Sequence, residues 1–319
     1  MVRRKKRRDK RKVRQLANKS RQLLDRQIDD VVGAQLLKLT GTSSPSAVYH
    51  YTGWDGFEGI LRERCFRMTD FHCVDDELEL RHTDDLMRGV IYRLAQNLSL
   101  ASPAGRALSN FRRQYPAKSI ANLNGYTPFL ACFCVAEDDT FMWSSASYGR
   151  AGEGYCLGIK LLAEPRDEEI DRRFAPATLP VSYDAKTIEQ WIDHGFRQVL
   201  TRIGRDGSSA SMFMANNAMF RLAAFASLAL KGDRFRDEKE WRLVMWVPNN
   251  QSIVQVVEGP RRYIVMPLRK ARQPIVLDSV HVGAKLGVAG VRRAEQLLGE
   301  LGYGSEGMPS MPPVLLSNR

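Results

Sequence analysis

The sequence predicts an α+β protein with a mixed, mostly antiparallel sheet core and flanking helices. Three observations carry this. Strand-length apolar runs and amphipathic helical stretches follow one another irregularly, without the βαβα alternation of a doubly wound sheet. One run, 129–135 (FLACFCV), is apolar throughout, as a strand covered on both faces must be. No internal repeat and no phosphate- or dinucleotide-binding glycine fingerprint is present.

The elements follow in order. Apolar residues at helical spacing from Val13 to Leu39 predict one amphipathic helix. Residues 41–46 (GTSSPS) break it and open the main domain. Residues 47–51 (AVYHY) read as a short strand, and the next helix is expected over 57–64, capped by Thr52 or Asp55, with Phe57, Ile60 and Leu61 buried. A short strand at 66–68, an acidic loop at 70–79 and a helix over 84–97 follow. After the central strand, 140–148 (TFMWSSASY) is aromatic and serine-rich, and 149–154 (GRAGEG) is a glycine loop before a strand at 155–161. Strands are expected at 181–183, 240–247, 262–266 and 276–282, with helices over 186–202, 212–230 and 291–301. The domain division is therefore a basic arm and helix at 1–40, a single α+β domain at 41–304, and a Pro/Ser-rich tail at 305–319.

The net charge of +12 is concentrated at one end. Residues 1–26 hold thirteen basic residues, including Arg3, Arg4, Lys5, Lys6, Arg7, Arg8, Lys10, Arg11 and Lys12, against Asp9 and Asp25. The body is near neutral, so the high pI belongs to the arm. Such a block stays solvated until it meets a polyanion, and a nucleic acid or ribosome is the partner its charge fits. An anionic membrane surface, or a terminus that only aids solubility, fits the same charge. The charged N-terminus has no apolar h-region behind it, so no secretory signal is expected, and no apolar run approaches the ~18–20 residues of a membrane span. The five cysteines are odd in number and show no CxxC spacing, which points to reduced thiols in a cytoplasm and predicts no metal site.

Three places concentrate unusual chemistry. Tyr49-His50-Tyr51-Thr52 puts a histidine among aromatics on the opening strand, where most histidines are simply hydrogen-bonded core residues. Trp143, Tyr148 and Gly149 lead into the glycine loop, whose backbone can approach a phosphate or carboxamide closely. Glu238 and Glu240 stand two residues apart at the mouth of an apolar strand, so an extended segment would turn both carboxylates to one face.

Taken together, VYHYT, GFEGIL, DDELE, CFCVAEDDTFMW, SYGRAGEGYCLGI, PVSYD, FRDEKEWRLV and VHVGAK, in that order, resemble the prokaryotic family known as domain of unknown function 2971. The resemblance spans about 47–287. It departs at Val74-Asp75-Asp76, where the family tends to Asn-Asp-Pro, and it leaves out the basic arm. The motifs are also similar, more distantly, to the His, Tyr and Glu motifs of ADP-ribosyltransferases. That likeness implies NAD as substrate. Glu240 would favour positive charge on the ribose, His50 and Thr52 would contact ribose or carboxamide, Tyr148 or Trp143 would stack on the nicotinamide, Tyr51 and Gly149 would line the site, and Glu238 would orient the acceptor.

Two other classes compete with this reading. Asp75, Asp76 and Glu77 with Glu238 and Glu240 could serve a metal-dependent nuclease, Asp237-Glu238-Lys239 faintly resembling a D-x-K triplet. A non-enzymatic nucleic-acid-binding or interaction protein would need only the arm.

Overall fold

The computed structural model describes residues 26–39, 45–73, 77–115, 126–161, 177–203, 208–248, 256–257, 262–268, 275–305 and 310–318. Nearly all of the basic arm, and Asp75 and Asp76 with it, lie outside these residues. Where a single domain is expected from sequence, the chain divides into two compact units, each built from three separate stretches. One comprises residues 1–41, 77–124 and 184–230, and the other 42–76, 125–183 and 231–319.

The first unit is helical. It contains α1 (26–39), α3 (Glu77–Gln96), α4 (Pro103–Gln114), α6 (Ala185–Arg202) and α7 (Ser209–Ala229). Each of the last three starts on a side-chain cap: Ser102 accepts from Gly105 N–H, Asp184 from Lys186 and Ser208 from Ser211. Phe111, Phe196 and Phe220, one from each, meet with ring centroids 4.7–5.2 Å apart. Helix α7 has apolar or small residues on every side, which is why it is buried almost all round.

The second unit is built on a curled, mostly antiparallel sheet. Its strands are β1 (Ala47–Thr52), β2 (Cys65–Asp70), β3 (Tyr126–Cys134), β4 (Tyr155–Leu161), β5 (Ala177–Pro180), β6 (Glu240–Pro248), β7 (Val256–Val257), β8 (Tyr263–Pro267), β9 (Ile275–Val282) and β10 (Val314–Leu316). They run in the order β10-β9-β4-β1-β3-β2-β8-β7, with β6 and β5 branching from β3. β3 pairs with β6 along its whole length, from Tyr126 opposite Pro248 to Cys134 opposite Glu240. Its other edge is shared. Phe129 and Leu130 pair with β2, whereas Cys134 pairs with Tyr49 of β1, so β1 and β2 diverge around 131–133.

One face of this sheet carries Val48, Phe66, Phe133, Leu157, Leu243 and Val280, with α2 (Trp54–Glu63) and α8 (Gly287–Glu300) contributing Phe57, Leu61, Leu297 and Leu298. Burial of each such side chain contributes about 1.5–3 kcal/mol. The opposite face carries Tyr49, Tyr51, Cys134 and Cys156, covered in part by Met142 and Trp143 of the short α5 (Thr140–Ser144).

Several elements differ from expectation for identifiable reasons. Helix α2 begins three residues early and is preceded by Gly53, with no side-chain cap. The helix expected from Asp84 already starts at Glu77. The strand expected at 181–183 lies at Ala177–Pro180, where it pairs with β6. Part of the tail joins the sheet. Val314–Leu316 pairs in parallel with β9 as β10, a pairing that period-2 patterning cannot reveal over three residues.

Candidate active site

The site is assembled at the start of β6. A 3-10 turn, Asp233–Glu238, leads into Lys239, whose backbone is left-handed (φ 46°, ψ 48°), and the strand begins at Glu240. The segment is therefore bent, where an extended one is expected. Even so, both carboxylates reach one cation. Lys231 Nζ lies 2.6 Å from Glu238 Oε2 and 2.7 Å from Glu240 Oε2. Arg242 Nε donates to Glu240 Oε1 at 2.7 Å, and Tyr148 hydroxyl to Glu238 Oε1 at 2.8 Å. The Glu240 N–H donates to the Tyr183 hydroxyl at 2.8 Å.

The group is buried: Glu238, Glu240 and Arg242 are 6%, 5% and 1% exposed. Ions so far from water persist only when paired. Burial pushes the Glu240 carboxyl up, but Arg242 and Lys231 overcome it and hold the pKa at about 2. Lys231 is pushed down by burial and raised further by the two glutamates, so it stays an ammonium. Burial and then the charge of Glu238 raise the Tyr148 phenol. Glu240 is thus held as a carboxylate, Lys231 as an ammonium and Tyr148 as a phenol at neutrality, so these three supply fixed charge and hydrogen bonds rather than acid/base chemistry.

Tyr148 reaches the network because the loop before β4 packs tightly. Gly149 N–H donates to Met142 C=O at 2.9 Å, and a Cβ on Gly149 would lie 2.5 Å from that oxygen and from Trp143 Cα. Only glycine allows this approach. Trp143 packs edge-on against Tyr51 (5.0 Å), and its Nε1 donates to Asp138 at 2.7 Å. Tyr51 donates to Ala136 C=O and accepts from Asp139 N–H. Both rings are buried.

His50 is elsewhere. Tyr49 is opposite Cys134, and Cys134 is opposite Glu240, so Glu240 shares the Tyr49 face and His50 points from the other. The His50 ring stands edge-on to Phe66 (5.3 Å) and Phe133 (6.0 Å), and its Nδ1 lies 3.4 Å from Cys132 C=O in the gap between β1 and β2. Burial lowers its pKa, so it is neutral at pH 7. Thr52 ends β1 two residues further on, opposite Tyr155. The structure thus brings Tyr148, Glu238 and Glu240 together and leaves His50 outside the group. A scan of protein-family models, a search of curated proteins and a search of solved structures each find no match to this chain.

Sequence reasoning missed Lys231, Arg242 and Tyr183. Arg242 had a readable signal: an arginine inside the apolar strand EWRLVMWV must find an anion, and the nearest same-face position holds Glu240. Lys231 had less, being a lone cation after an apolar helix. Tyr183 had none. Among the described residues no cluster of three or more His, Cys, Asp or Glu is placed to hold a metal ion, and no helix is long and apolar enough to cross a membrane.

Proposed function

We propose that the chain is an ADP-ribosyltransferase-like enzyme that cleaves the nicotinamide–ribose bond of NAD, with Glu240 and Glu238 as its acidic pair and Tyr148 beside them. The observation that carries this reading is the geometry around Glu240, a buried carboxylate with Lys231 Nζ and Arg242 Nε each 2.7 Å from one of its oxygens, which holds it ionised. As the C–N bond breaks, its electron pair moves to the pyridinium nitrogen and positive charge develops on the ribose. A carboxylate that is always ionised favours that charge without first giving up a proton. Water or an acceptor nucleophile then attacks the ribose carbon and loses its proton to solvent. The ligand must draw Glu240 away from part of its contact with Lys231. His50 supports the gap between β1 and β2 and does not touch the reacting bond. A cytoplasmic location and a nucleic-acid or ribosomal acceptor reached by the basic arm belong to the same reading.

A second reading has its own observation. All four carboxylate oxygens of Glu238 and Glu240 are already engaged, by Lys231, Arg242 and Tyr148. A network so saturated also serves purely as structure, and the chain is then a non-enzymatic nucleic-acid-binding or interaction protein acting through its arm. Incubation with NAD, following nicotinamide release with and without nucleic acid, separates the two. Release that disappears in folded Glu240→Gln supports the enzyme. Absence of release and of NAD binding by calorimetry, in every condition, leaves the structural reading.

A further inference from the structure

The three consecutive acids after β3 each have their own set of partners. Glu137 accepts from the Tyr49 hydroxyl at 3.3 Å and lies 3.1 Å from His281 Nε2. Asp138 accepts from Trp143 Nε1 and from Ser317 hydroxyl. Asp139 reaches the candidate site. Its Oδ1 caps α5 by accepting Met142 N–H at 3.1 Å, and its Oδ2 pairs with Lys239 Nζ at 2.6 Å. Its own N–H donates to the Tyr51 hydroxyl at 2.8 Å.

Lys239 is the left-handed residue between Glu238 and Glu240, and its carbonyl accepts from Val135 N–H at 3.1 Å. The side chain of Lys239 and the backbone of that turn are therefore both fastened to the end of β3. Asp139 is 7% exposed, and Lys239 supplies the exposed half of the pair. One carboxylate thus links the segment that delivers Tyr148 to the turn that delivers both glutamates.

We propose that Asp139 is a positioning residue, which fixes the geometry of Tyr148, Glu238 and Glu240 without touching substrate. The proposal rests on the NAD-cleavage reading for its catalytic consequence, but its geometric content has a separate readout. Asp139→Ser keeps an N-cap for α5 while losing the reach to Lys239, and Lys239→Met removes the same pair from the other side.

The experiment measures nicotinamide release and, by NMR of ring-labelled tyrosine at neutral pH, the ring signal of Tyr148, assigned with Tyr148→Phe. In both folded variants kcat falls about 10- to 100-fold with KM little changed, since misplacement by about 1 Å has that effect. The Tyr148 ring signal, set by its 2.8 Å hydrogen bond to Glu238, moves from its wild-type position. Unchanged kcat in a folded variant of an active enzyme overturns the proposal. Should the wild-type protein release no nicotinamide, the reaction reading fails on its own and the Tyr148 ring signal decides Asp139. A moved signal then retains its positioning role, and an unmoved one removes it.

Discussion

Replacing Glu240 with Gln changes almost no volume but removes one of two negative charges facing two positive ones. Lys231, Arg242, Glu238 and Glu240 sum to zero, and the variant leaves a net charge of one in a region where Glu240 is 5% exposed. Two estimates of the cost agree. Breaking a buried pair by removing one partner costs about 3–5 kcal/mol. Independently, displacement of the Glu240 pKa from 4.5 to about 2 corresponds to about 3 kcal/mol at 1.36 kcal/mol per pH unit. The sign follows from linkage. The folded pKa lies below the unfolded one, so this contribution is present above pH 4.5 and is lost as pH falls through about 2. Urea unfolding across pH 2–7 should show the wild type losing stability in that window and Glu240→Gln, already weaker at pH 7, losing less. Lys231→Met should be destabilised by a similar amount, and the double variant by less than the sum of the two, because it restores neutrality. Additivity of the singles within about 0.5 kcal/mol, or the same acid limb in Glu240→Gln, would refute the coupled network.

The remaining predictions concern positions around it. His50→Phe should cost about 1–3 kcal/mol, since a larger ring must fit between Phe66 and Phe133, and leave nicotinamide release intact; a large loss of release with native stability would return His50 to the site. The His50 imidazole should titrate below pH 6.5 by NMR, its stabilising effect as a neutral ring fading as pH falls through the unfolded value. Gly149→Ala forces backbone apart at a 2.5 Å approach, so thermal unfolding should show a loss of about 1–3 kcal/mol and Tyr148 should leave Glu238. Deleting residues 1–25 should abolish salt-sensitive binding to nucleic acid, read as a flattened slope of log affinity against log salt.

Much of the sheet was readable because its strands are apolar and periodic. FLACFCV is central, and EWRLVMWV pairs with it along its whole length. That Glu238 and Glu240 act as a pair was legible from their spacing of two, although the reason was different. A left-handed Lys239 brings the carboxylates together, and no residue type announces that conformation at a lysine. The exclusion of His50 was not legible, because it depends on strand register, and a one-residue difference in pairing exchanges the faces. The division into two units was also hidden: each is made of three stretches, and linear composition does not show which stretches pack together.

That interleaving governs how the molecule must be made. β4 finds β1 across roughly a hundred residues, with Tyr51 opposite Cys156, and finds β9 across a similar span, with Tyr155 opposite Val282. Such long-range pairing slows folding, since closure entropy is spent before the contacts form. During synthesis β1 and β4 can meet while β9 is still inside the ribosome, and until it emerges the outer edge of β4 offers an unpaired row of N–H and C=O groups to any neighbouring strand. A helical unit whose stretches fall between these strands shortens the effective search if it orders first. The protein's yield in cells should therefore respond to translation rate and to chaperones that shield strand edges, more than to the stability of the finished fold.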